Sequence, residues 1–171
     1  MEKRGKAKSG QLQMSFGMIF SIIIIAVTIA VSFYVISHFL RLNKCTELGF
    51  FYRDFENEVD KAWSSSLYQE VFEHKVPSNV DFVCFGNLTQ TAEQGFIDEQ
   101  ELIKEDTLRV QYSHNLFVAP VLTACDGELS SQSVKHAAVG NFFCVKPTDG
   151  KIKVKITKES SDTYAQIMRA S

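Results

Sequence analysis

The chain has 171 residues and a formal net charge of -2, with 45% hydrophobic and 22% charged side chains. Its charge is unevenly placed: residues 1–9 hold Lys3, Arg4, Lys6 and Lys8 against Glu2, Gly10 to Leu40 holds no Lys, Arg, Asp or Glu, and 14 of the 18 basic and 19 of the 20 acidic side chains follow Leu40. A mildly acidic domain lacks the basic face that phosphate neutralisation requires, so nucleic acid is excluded as a partner, while the roughly 130 residues left to fold in water suffice for one modest core.

Residues 1–10 read as a basic tail or leader and 11–40 as a transmembrane helix. A hydrocarbon core about 30 Å thick is crossed by roughly 20 helical residues, and Ile19 to Ile36 presents apolar or small residues on every face, unlike the striped helix of a soluble core. Ser21, Thr28, Ser32 and Ser37 are tolerated in such a helix because their hydroxyls bond back to helix carbonyls or to a neighbouring helix. The apolar run exceeds the roughly 7 to 15 residues of a cleaved signal core, and no A-x-A triplet closes it, so it is expected to stay as an anchor in the lipid bilayer. Basic clusters are retained in the cytoplasm, which places the remaining domain outside it at the cell membrane.

Two features bear on that topology. Cys45, Cys84, Cys125 and Cys144 are even in number, widely spaced and free of C-x-x-C. In an exported domain they read as up to two disulfides, with three pairings open; without C-x-x-C or H-x-x-x-H spacing a zinc site is disfavoured. Asn87-Leu88-Thr89 is an acceptor sequon for glycosylation, compatible with export.

Residues 41–66 read as a membrane-proximal amphipathic helix. Leu48, Phe51, Tyr52, Phe55, Val59, Ala62 and Trp63 recur at spacings of three and four, opposite Arg53, Asp54, Glu56, Glu58, Asp60 and Lys61. That stripe is read as core packing, and Gly49 suggests a kink or a short break near Asn43 to Gly49. Residues 67–171 read as an extracytoplasmic α+β head. Phe72, His74 and Val76 alternate up to Pro77-Ser78-Asn79, and Val80 to Phe85 is β-branched and aromatic, which predicts two strands joined by a tight turn. Asp98 followed by Glu101 has capping-box spacing and predicts a short helix through about Asp106. Leu108 to Leu116 is ambiguous between helix and strand, whereas Leu116 to Val118 is expected to be extended ahead of Pro120.

Asn141 to Val145 and Lys151 to Thr157 flank Pro147-Thr148-Asp149-Gly150, which predicts a hairpin. In its second strand Ile152, Val154 and Ile156 form a buried face, and Lys151, Lys153 and Lys155 a solvated one. Ser161 to Arg169, with Tyr164, Ile167 and Met168 as apolar contacts, predicts a final helix. The fold class is therefore α+β: a long N-terminal helix, transmembrane and then amphipathic, carrying a small head with an antiparallel sheet and a short C-terminal helix.

No catalytic motif is present: there is no G-x-S-x-G, H-E-x-x-H or phosphate-binding glycine loop. His38, His74, His114 and His136 are scattered, and the acidic cluster Asp98, Glu99, Glu101, Glu105 and Asp106 lacks the alternation and central glycine of a calcium loop. No enzyme, cofactor or metal is expected.

The segment KAKSGQLQMSFGMIFSIIII resembles the start of type IV pilin-like proteins, archaeal ones included, in which a short basic leader ends at glycine ahead of a hydrophobic helix. GQLQMSFGMIFSI also resembles short single-pass proteins of archaea. The pilin-like resemblance implies cleavage between Gly10 and Gln11 and self-association through the apolar helix. Two positions depart from that pattern: Ser9 stands before Gly10, and Ser15 lies near the place of an early acidic residue. Two functions follow, a pilin-like structural subunit, or a non-polymerising single-pass protein whose head binds a protein partner or belongs to a membrane complex.

Overall fold

The computed structural model describes residues 16–105, 113–121, 125, 127 and 129–170. Gly10 and Gln11 lie outside the described residues. The chain divides into two compact units, Met1–Leu40 and Arg41–Ser171. Helix α1 (Phe16–Ser64) supplies the described part of the first unit and opens the second.

In the first unit every described side chain from Gly17 to Leu40 is exposed, Ile22, Ile25, Phe33, Tyr34 and Phe39 among them. The hydroxyls turn inward to the helix backbone: Ser21 donates to the carbonyl of Gly17 at 2.8 Å, Thr28 to Ile25 at 2.9 Å, Ser32 to Thr28 at 2.7 Å and Ser37 to Tyr34 at 2.9 Å. Each of these four hydroxyls thus spends its donor locally.

In the second unit the stripe Leu48, Phe51, Tyr52, Phe55, Val59 and Ala62 is buried. Of the kink or short break expected near Asn43 to Gly49, the break does not form, since α1 is helical throughout that stretch. Glycine inside a helix costs about 1 kcal/mol relative to alanine, and burial of each large apolar side chain beside it contributes about 1.5–3 kcal/mol, which outweighs that cost.

The eight strands are β1 (Tyr68–Lys75), β2 (Phe82–Phe85), β3 (Leu116–Ala119), β4 (Ser131–Gln132), β5 (Ala137–Ala138), β6 (Phe143–Val145), β7 (Lys151–Lys158) and β8 (Ala165–Arg169), with helix α2 (Ile97–Glu105) between β2 and β3. They form two four-stranded sheets, β1-β7-β8-β5 and β4-β3-β2-β6. All pairings are antiparallel except β5 with β8.

The first sheet is buried on one face, which is why its long strands alternate. Ile152, Val154 and Ile156 are buried, and Lys151, Lys153 and Lys155 between them are not. The second sheet is buried on both. Val83, Phe85, Leu116, Val118 and Phe143 join the α1 stripe and the first sheet in the main core. Cys84, Phe117 and Cys144, on the other face, pack with Leu88, Phe142 and Ile103 of α2 in a second core. A strand covered on both faces reads as a continuous apolar run, as FVCF and LFVA do. Phe55 ties the main core together, with its ring 5.3 Å from that of Phe72 on β1 and 5.4 Å from that of Phe85 on β2.

The two expected strands β1 and β2 are joined by a tight turn in which the Val80 N–H donates to the Pro77 carbonyl at 3.0 Å. They pair with other strands, β1 with β7 and β2 with β3 and β6. The described residues correct three local expectations. β6 and β7 do not form a hairpin, because they belong to different sheets. The turn between them is real: Asp149 and Gly150 have φ of 53° and 70°, and Thr148 and Lys151 exchange backbone hydrogen bonds. It redirects the chain from one sheet to the other.

The expected C-terminal helix over 161–169 is instead β8. Ala165 and Ile167 are buried at a spacing of two, and β8 pairs with β7 along Val154 to Thr157. α2 starts at Ile97, so Asp98 sits inside its first turn, where its negative charge favours the helix N-terminus, and does not cap it. Leu116–Ala119 is extended as expected. Most of the ambiguous stretch 108–116 lies outside the described residues.

Candidate membrane anchor and cross-linked head

α1 is the one described helix long and apolar enough to cross a membrane, and its most apolar 18-residue window contains no residue buried within the chain. A soluble core helix of that length would bury a face. Water-exposed, this surface would cost about 25 cal/mol for each Å² of hydrocarbon. Among the described residues, no side chain from Gly17 to Leu40 is buried.

The second unit is held by two disulfides. Cys45 on α1 pairs with Cys125 across 80 residues of sequence, with Cα atoms 5.3 Å apart. Cys84 on β2 pairs with Cys144 on β6, its direct register partner, with Cα atoms 4.0 Å apart. Of the three pairings that four cysteines allow, this one ties the helix to the loop after β3 and locks the centre of the second sheet. Neither bond is suggested by sequence spacing, because both join segments that only the folded topology brings together. Bonds of this kind form and persist in oxidising compartments.

Polar side chains complete the attachment of the helix to its neighbours. Tyr52 donates its hydroxyl to the carbonyl of Leu129 at 2.6 Å, and burial pushes its phenol far above the ordinary value. The Tyr68 hydroxyl donates to Glu58, and burial together with that carboxylate raises the phenol. Asp54 bonds Arg53 at 2.8 Å and His74 at 3.1 Å, and the hydrogen bond from Arg53, with a smaller one from His74, holds its carboxyl below the ordinary value. His136 bonds Asp60 at 2.9 Å, while its ring lies parallel to that of Trp63 with centroids 3.8 Å apart. Trp63, expected in the core stripe, is therefore a lid over His136 and remains 43% exposed.

The lysine row of β7 is partly consumed inside the sheet. Lys151 and Lys153 approach Glu73 of β1 at 2.6 and 2.8 Å. The hydrogen bonds from Lys151 and then Lys153 lower the Glu73 carboxyl to about 2. The register that sets Glu73 opposite Lys153 could not be read from the sequence, since it depends on which strand β7 chooses.

The scattered histidines do not converge. His74 and His136 serve the helix contacts above, and His114 bonds the hydroxyl of Ser131 at 2.9 Å. Asp98, Glu101 and Glu105 are exposed on α2 and Glu99 is half-buried, whereas Asp106 lies outside the described residues. Among the described residues no group of three or more His, Cys, Asp or Glu side chains is placed to hold a metal ion. Asn87 lies in the turn after β2, with Leu88 buried and Thr89 exposed. Comparison of the chain with family models, curated proteins and solved structures finds no match.

Proposed function

We propose that the chain is a single-pass membrane protein whose basic tail is cytoplasmic, whose α1 crosses the bilayer before Arg41, and whose disulfide-bonded head acts outside the cytoplasm as a structural or partner-binding module. The observation that carries this reading is the pairing, in one chain, of a helix segment with no buried side chain in its apolar window and a second unit closed by two disulfides. The anchor supplies location and the cross-linked head supplies a durable surface. No catalytic step and no cofactor is assigned.

Extraction of native membranes with alkaline carbonate, followed by thiol alkylation without and with reduction, tests the reading. The protein stays in the pellet and takes up label at four cysteines only after reduction. Release into the supernatant, or four thiols reactive without reduction, contradicts it.

The second reading is a pilin-like filament subunit that self-associates through the apolar helix. It is favoured by α1 continuing as one helix from Phe16 to Ser64, so that a single element supplies both the charge-free segment and the backbone of the head, the helix-plus-head plan of the family it resembles. Under it, the intact mass from native membranes lacks Met1 to Gly10, and Gly10→Val traps the full-length form. A full-length mass contradicts cleavage and leaves the non-polymerising anchor.

A further inference from the structure

We infer that Asn87 is the attachment site of an N-linked glycan, with Thr89 as the residue that prepares its amide. The turn Asn87-Leu88-Thr89-Gln90 is closed by a hydrogen bond from the Gln90 N–H to the Asn87 carbonyl at 3.0 Å, and by another from the Asn87 N–H to Gln90 Oε1 at 2.7 Å. Leu88 is 1% exposed in the second core, which fixes the centre of the sequon while Thr89 faces solvent.

Within this frame both the N–H and the hydroxyl of Thr89 donate to Asn87 Oδ1, each at 2.9 Å. A carboxamide oxygen has two lone pairs, so both are engaged, while Nδ2 makes no hydrogen bond among the described residues. Drawing density onto the oxygen makes the Nδ2 protons more acidic. Asn115 shows the contrast: its oxygen accepts from the N–H of Val134 and its Nδ2 donates to the carbonyl of the same residue, at 2.8 and 2.9 Å, a purely structural use of the same group.

The neighbourhood leaves room for a substituent. Asn87 lines a shallow cleft of about 320 Å³ together with Gln90, Ser113, Asn115, Ala138 and Tyr164. Tyr164 is 48% exposed, and its ring offers an apolar surface for the first sugar to cover.

The donor class is an oligosaccharide carried on a lipid phosphate or diphosphate. Asn87 Nδ2 attacks the anomeric carbon, a C–N bond forms, and the C–O bond to phosphate breaks with its electron pair leaving on the lipid phosphate. Nδ2 loses one proton to a base of the transferase, and nothing is oxidised or reduced. Such transfer occurs only on the exported side, so the inference rests on the proposed placement of the head.

The test is peptide-level mass spectrometry of the protein from its native membrane, on a chain carrying Ser160→Cys so that labelling by an impermeant maleimide in intact cells reports export of the same sample. The peptide containing Asn87 is expected to carry a whole number of sugar residues. Asn87→Gln and Thr89→Val should each abolish this increment, and Thr89→Ser should retain it. Bare Asn87 in a chain labelled at position 160 overturns the glycan and leaves the exported head standing; bare Asn87 in a chain unlabelled there overturns both.

Discussion

The two parts of α1 obey the same backbone rules and meet opposite surroundings. Before Arg41 no described side chain is buried; after it, Leu48, Phe51, Tyr52, Phe55, Val59 and Ala62 are buried at spacings of three and four, while the charged residues Arg53, Asp54, Glu56, Glu58, Asp60 and Lys61 are not. The difference teaches that an apolar helix is not automatically a core helix. What decides is whether the chain itself covers the apolar surface: the second unit does so with two sheets, whereas in the first no described side chain is covered, as a membrane-crossing segment requires.

That contrast can be broken from either side. The largest effect is expected in the core-packed part, where Phe55→Ala removes the ring that touches both sheets. Thermal or denaturant unfolding of the full chain in detergent should show a loss of about 3–5 kcal/mol, with membrane retention unchanged. In the exposed part the roles exchange. Ile29→Arg sets a charge near the middle of the span and should disfavour insertion by about 2.5–3.5 kcal/mol, read as the fraction recovered in the membrane pellet, whereas Glu56→Arg on the solvated face of the second part should change neither quantity. Equal behaviour of these two arginines would erase the distinction.

Cross-linking sharpens the comparison, because both disulfides lie beyond Leu40. Replacing Cys84 and Cys144 together by serine should lower the stability of the head by about 2–4 kcal/mol in a denaturant titration and leave membrane retention intact. The smallest effect concerns acid. The folded-state pKa of Glu73 is depressed from 4.5 to about 2 by Lys151 and Lys153, so its ion pairs contribute fully above about pH 4.5 and are lost as pH falls through 2. The melting temperature of the native chain should exceed that of Glu73→Gln at pH 6, and the gap should close between pH 4.5 and 2. A gap that widens with acid would reverse the sign of the contribution.

How much of this was legible in the sequence depended on how local the signal was. The charge-free run, the buried stripe of the second part of α1 and the alternation in KIKVKITK follow from periodicity alone. The partners of strands do not. Asp149-Gly150 forms the expected tight turn, yet the strands on either side belong to different sheets, because register and partner are set by which faces the rest of the fold must cover.

β8 shows the same limit at the level of one segment. Tyr164, Ile167 and Met168 fit a helical spacing, while Ala165 and Ile167 fit a strand, and pairing with β7 resolves the ambiguity. The disulfides were legible as a number and a compartment but not as a pairing. At Asn87 the motif was visible, whereas the double donation from Thr89 to its carboxamide required coordinates.

The most direct test of the central claim is side-specific labelling with a membrane-impermeant maleimide in intact cells, comparing Ser9→Cys with Ser160→Cys, the native cysteines being held in disulfides. The account predicts that position 160 is labelled from outside and position 9 only after the membrane is permeabilised; labelling of both without permeabilisation, or of neither, would contradict a head anchored outside by α1.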